Sequence, residues 1–141
     1  MTNQLDLQET EELVVPVFGY ELLRDALLTD ILGKEASSIL YWAGKSLARK
    51  FPCGNIEDLF SFFHEAGWGN LILLKETKRE KTFELSGPFV ERRFSVQSEP
   101  SFSLESGFLA EQIALQQQID AESVIDIQKR SKKIVFTVKW E

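Results

Sequence analysis

One cysteine and one histidine, Cys53 and His64, are all this chain offers of the two strongest side-chain ligands for transition metals. A zinc site draws on several nitrogen or sulfur ligands, so this inventory speaks against one. Carboxylates alone do not repair the deficit. Glu9, Glu11 and Glu12 are close in sequence but lack the glycine turn and distal bidentate partner of a calcium loop. A lone cysteine also leaves no internal disulfide, and a reducing compartment is the simplest home for such a chain. No stretch approaches the ~18 apolar residues that a membrane-crossing helix needs. The opening MTNQLDLQETEE is polar and acidic, the opposite of a secretory leader. The expectation is a cytoplasmic protein with no transmembrane segment, no metal and no cofactor.

Positive charge is scarce in the first forty residues, where eight acids face two bases, Arg24 and Lys34. That region carries the whole net charge of -6, and the remainder holds fourteen of each sign. A field of this sign repels phosphate backbones, so nucleic acid is not an expected partner. The cluster Lys129, Arg130, Lys132 and Lys133 reads as a solvated hairpin turn. Tyrosine is scarce too: two, against eleven phenylalanines and three tryptophans. Phenyl rings carry no polar handle, so they suit dry interiors, apolar pockets and subunit contacts.

What is present fits one globular domain of 141 residues with a self-sufficient core. Residues 1–15 read as a flexible acidic tail and 16–141 as a single α+β domain. Phe18, Leu22 and Ala26, with Leu23, Leu27 and Ile31, give a helical stripe that Gly33 stops. A second helix over about 35–50 carries Ile39, Ala43, Leu47 and Phe51 on one side. A third starts after Asn55, a good cap, with Ile56, Leu59, Phe60 and Phe63 inward. Leu71–Leu74 and the alternation around Phe83 and Leu85 predict strands. Gly87-Pro88 reads as a turn into a further strand through Val90, Arg92, Phe94 and Val96. A long helix follows Ser101 and runs to about Gln118. Ile134, Phe136, Val138 and Trp140 alternate as the last strand, paired with 122–129. Grouped helices and strands without regular alternation favour α+β: helices on a twisted antiparallel sheet, ordered as three helices, a β-meander, a long helix and a C-terminal β-hairpin.

Catalytic patterns are thin. Cys53 stands before a helix N-terminus, which would favour a thiolate. His64, eleven residues on, lies about two and a half turns away along that helix, too far to serve it as a base. GWGN at Gly67–Asn70 leads into a strand, whereas a phosphate cradle leads into a helix. Two other stretches stand out. YWAGKSLARKF places Ala43, Gly44 and Ala48 among large apolar residues on one helix, and LESGFLAEQ does the same with Ser106, Gly107 and Ala110. A mid-helix glycine costs ~1 kcal/mol relative to alanine, so close backbone approach, inside the fold or across a subunit interface, is its physical rationale.

The segments FGYELLRDALLTDILG, YWAGKSLARKF, FFHEAGWGNL and LESGFLAEQ resemble the YslB-like family of functionally uncharacterised proteins of Gram-positive bacteria. The resemblance runs from about Val17 to Trp140, with Ser106 in a slot where the family leads one to expect alanine. That family is similar in organisation to the Bet-type subunits of Golgi vesicle-tethering complexes and to four-vinyl-reductase ligand-binding domains. The resemblance implies helices against a twisted antiparallel sheet, dimerisation through helices, and an apolar cavity that in some relatives holds an acyl chain or small aromatic effector. It also makes Cys53 a candidate acyl or redox site, since tethering subunits carry an acylated cysteine in a comparable, longer loop. The cysteine-rich zinc pattern of some sensor relatives is missing.

The expected function is therefore a non-enzymatic small-ligand-binding or assembly module, a homodimer with a hydrophobic pocket for a lipid or small aromatic ligand. Trp42, Phe63, Trp68 and Phe108 are the candidate pocket wall. The alternative is a reductase-like or accessory enzyme subunit using an external cofactor or partner. In that reading Arg92 and Arg93, with Lys78, Arg79 and Lys81, would hold an anionic substrate.

Overall fold

The computed structural model describes residues 13–141, so most of the expected acidic tail, residues 1–12, lies outside the described residues. The backbone divides into two compact units, one ending at Ala36 and one spanning Ser37–Glu141.

The first unit is helical from Val17 on. Helix α1 (Val17–Glu21) widens into a π-helical segment (Leu22–Leu28), returns to α2 (Thr29–Leu32), and closes in a 3-10 turn (Gly33–Glu35). Gly33, with φ of 69°, marks the end of the α-helical run, as its position suggests. The π-helical turn has a sequence counterpart. Phe18, Leu22, Leu27 and Ile31 are spaced by four, five and four residues. A helix closed by i→i+5 bonds has a wider turn, which keeps such spacings on one face. Within this unit Arg24 Nη1 donates to the Tyr20 hydroxyl at 3.0 Å.

The second unit is an α+β structure. Helix α3 (Ala36–Lys50) leads into it, followed by α4 (Ile56–Glu65), strands β1 (Asn70–Glu76) and β2 (Glu80–Ser86), α5 (Pro88–Val96), α6 (Ser103–Gln117), and the hairpin β3 (Ala121–Gln128) and β4 (Lys133–Trp140). Asn55 caps α4 as its sequence position predicts, its side-chain oxygen accepting from Asp58 N at 2.8 Å. The strands form one antiparallel sheet in the order β1-β2-β4-β3, so the last strand is inserted between the first hairpin and its own partner. On β2 and β4 alternate residues point into the core: Phe83 faces Phe136 across the ladder and Leu85 faces Ile134, all fully buried. Thr82, Glu84, Val135 and Thr137 lie half-buried on the other face. Helix α6 packs on β3 and β4, α4 on β1, and α5 on β2. The edge strand β1 carries a bulge between Leu73 and Lys75.

One expected strand is a helix. Residues 88–96 form α5, so the middle of the chain is a two-stranded hairpin followed by a helix, not a three-stranded meander. Pro88 occupies the first turn, where its missing N–H costs nothing. Gly87, at φ 109°, turns the chain into it with Asn70 packed where a Cβ would be. Val90 and Arg93, three residues apart, are both buried. The even spacing of Val90, Arg92, Phe94 and Val96 fits a strand equally well on paper, but the start signal overrides it.

Candidate functional site

Two helices cross at glycines. A Cβ on Gly107 would overlap the carbonyl oxygen of Tyr41, and one on Gly44 would overlap that of Leu104 and lie 2.7 Å from Phe108 N. The α3 and α6 backbones are thus in direct contact, within one chain. Ala48, Ser106 and Ala110 are buried, whereas Ala43 is exposed on the outward side of α3.

That crossing seats an aromatic cluster. Phe62 stacks on Phe108 with centroids 4.6 Å apart, and Phe51 meets Phe62 at 5.7 Å. Of the four candidate pocket residues, three are brought together: Phe63 and Trp68 at 5.0 Å, Trp68 and Phe108 at 5.2 Å, Phe63 and Phe108 at 5.9 Å. These are edge-to-face contacts among buried rings. Trp42 is not among them. It is 62% exposed on α3, and its ring neighbour is Tyr41.

The loop after α3 is clamped by α6. Fully buried Gln112 accepts from Cys53 N at 2.9 Å and donates to Phe51 O at 2.8 Å, while Gln116 donates to Cys53 O at 3.0 Å. The two amides, one helical turn apart, hold the Phe51–Cys53 backbone as a strand partner would. Burial, with the Asp58 carboxylate as a smaller cause, pushes the Cys53 thiol up to about 11. It is therefore a neutral thiol at physiological pH, a poor nucleophile for redox or acyl chemistry. His64 is exposed near the far end of α4.

A polar cluster closes the β3 edge. Tyr41 donates its hydroxyl to Glu122 Oε1 and accepts from Ser123 N at 3.0 Å. Lys45, its side chain 7% exposed, lies 3.0 Å from both Glu122 oxygens, with its ammonium 4.9 Å from the Trp42 ring centroid and 5.2 Å from that of Tyr41. Ser106 reaches the hydroxyl of Ser123 at 2.9 Å. Burial, reinforced by the bond to Glu122, raises the Tyr41 hydroxyl well above its ordinary range. For Glu122, burial acts upward but is outweighed by the bonds from Tyr41 and Lys45 and by the Lys45 charge, so its carboxyl titrates below the usual range. Sequence inspection passed over Lys45, Gln112, Gln116 and Glu122. The signal for the glutamines was there, two amides four residues apart and so on one face of the helix.

Two of the bases proposed for an anionic substrate have separate engagements. Arg93 lies 3.8 Å from Glu105 and 4.5 Å from the Phe102 ring centroid, and Lys81 lies 3.3 Å from Glu76. Lys78 and Arg79 sit in the β1–β2 turn, and Arg92 is exposed on α5. Among the described residues no group of three or more histidine, cysteine, aspartate or glutamate side chains is placed to hold a metal ion. No helix there is long and apolar enough to cross a membrane.

An open groove of 570 Å³ runs along the ends of β2, β4 and β3. Its wall includes Arg79, Asp120, Lys139 and Glu141, with Ile119 and Trp140 as apolar surface. Glu122 of the edge cluster also lines it.

Comparison with known proteins places these features in context. The family model described as "Protein of unknown function (DUF2507)" matches residues 17–139. "Uncharacterized protein YslB" of Bacillus subtilis (strain 168) is 46% identical over 138 residues, covering 98% of this chain and 93% of that protein. Among solved structures, a vinyl-4-reductase family protein from Methanocaldococcus jannaschii superposes with a TM-score of 0.68 over 100% of this chain and 96% of that one, at 21% identity. At that identity the likeness is one of fold.

Proposed function

The chain belongs to the DUF2507 family, and we propose that it is a non-enzymatic small-ligand-binding and assembly module that works as a homodimer. The observation that carries this reading is the apolar surface of the first unit. Eight large apolar side chains between Leu13 and Ile31 are 48–89% exposed, among them Phe18, Leu22, Leu23, Leu27 and Ile31 on the helical stripe. Exposed apolar surface on this scale marks an interaction site. At ~120 Å² per side chain, two-thirds exposed, the set offers roughly 600 Å² per copy, or ~1,300 Å² across a symmetric pair. Specific interfaces bury ~1,200–2,000 Å². A second copy of the same stripe is thus a partner of adequate size and matching chemistry.

The ligand half draws its support from the fold shared with the vinyl-4-reductase family protein. A non-enzymatic role is supported by the neutral Cys53 thiol and by the separate engagements of Arg93 and Lys81. The test is light scattering on the full chain beside a Leu23→Glu, Leu27→Glu double variant. Wild type is expected at twice the 16.1 kDa chain mass and the variant at the chain mass, with circular dichroism unchanged. Wild type that stays at the chain mass at high concentration overturns the dimer. Native mass spectrometry of untreated protein reads the ligand half in parallel.

A further inference from the structure

The groove at the strand ends holds six charged residues, and their engagements divide them. Glu122 is held by Lys45 at 3.0 Å and by Tyr41; Glu80 is approached by Lys75 at 3.9 Å. Four charges are left: Arg79 and Lys139, Asp120 and Glu141. Among the described residues none of the four side chains has an ion-pair or hydrogen-bond partner, so no nitrogen of the two bases comes within 4.0 Å of an oxygen of the two acids. Two charges of each sign thus line one groove without meeting. Beside them lie Ile119, 39% exposed, and the part of Trp140 that is not buried. The volume, 570 Å³, falls within the ~300–1,000 Å³ of small-molecule sites.

We infer that this groove binds a small zwitterion with an apolar side chain, an apolar amino acid being the simplest. Its carboxylate lies between Arg79 and Lys139, its ammonium faces Asp120 and Glu141, and its side chain rests on Ile119 and Trp140. A purely anionic ligand would satisfy the bases and be repelled by the acids, and a purely cationic one the reverse. A neutral apolar ligand would leave all four charges unused. Only a molecule carrying both signs, bridging the gap the protein leaves open, matches the set. This inference rests on the ligand-binding half of the proposed function and is independent of the dimer.

The test titrates the full chain with L-phenylalanine and L-leucine, alongside phenylacetate and phenethylamine, each of which lacks one charge. Saturable binding of at least one amino acid is expected, with both single-charge probes at least about tenfold weaker, the scale of one lost charged contact. Arg79→Gln and Lys139→Gln should each weaken amino-acid binding without weakening that of phenethylamine, which loses only a repulsion. Asp120→Asn should weaken amino-acid binding without weakening that of phenylacetate, which loses only a repulsion. No saturable binding of either amino acid, equal binding of phenylalanine and both single-charge probes, or indifference to all three substitutions overturns the inference. Light scattering on the same samples separates the two proposals. A dimer that binds neither amino acid sinks the groove alone, and a monomer that binds one sinks the dimer alone.

Discussion

At Gly107 an added methyl group would run into the Tyr41 carbonyl oxygen, and at Gly44 into that of Leu104. Neither obstacle is a flexible side-chain end, so relief requires the helices to part. Gly107→Ala should therefore lower stability by ~3 kcal/mol, against the ~1 kcal/mol that helix propensity returns. Gly19→Ala, on α1 with nothing near its missing Cβ, is the control and should stabilise slightly; urea midpoints measure both. The raised Cys53 thiol makes a second prediction. At mildly alkaline pH its alkylation should be roughly 100-fold slower than that of free cysteine, and denaturant should abolish the difference. The paired glycines are legible in the sequence, because glycine within an apolar helix demands a reason. The Lys45–Glu122 contact is not, since 77 residues separate the partners and both look like ordinary surface charges. Trp42 illustrates a further limit. Composition points to an aromatic core, but it does not tell which ring of Tyr41-Trp42 turns outward.

Among the elements, the fold class and most helices and strands can be read from periodicity, caps and glycines. The exception, α5, shows how a four-residue spacing satisfies helix and strand patterns alike until Pro88 and Gly87 decide between them. Sheet order is beyond such reading, because placing β4 beside β2 depends on packing between distant segments. The contact between α3 and β3 gives an element-scale prediction. Tyr41→Phe leaves the Ser123 N–H without its acceptor and removes a donor to Glu122. Stability should fall by ~1–2 kcal/mol, and the Ser123 amide should exchange with solvent faster. Glu122 adds a pH dependence. Its lowered folded-state pKa means that its contribution is present above the ordinary glutamate range and lost as pH falls through the lowered value. Glu122→Gln should flatten that acid limb of the stability curve, by a small amount because the side chain is mostly exposed.

For the whole molecule, the proposed pairing through the apolar stripe between Phe18 and Ile31 would make stability a matter of concentration. Association through that surface should raise the melting temperature as protein concentration rises, and the Leu23→Glu, Leu27→Glu variant should melt at one temperature throughout. The sheet, by contrast, offers little to a neighbour. One rim is kinked where Leu73 gives way to Lys75, and the other has the Ser123 amide already taken by a phenol. Growth by strand addition, the route to fibres, is therefore obstructed at both margins. The proposed helical seam, being self-complementary, would be used up once two copies met, so the protein would double and then have nowhere further to go.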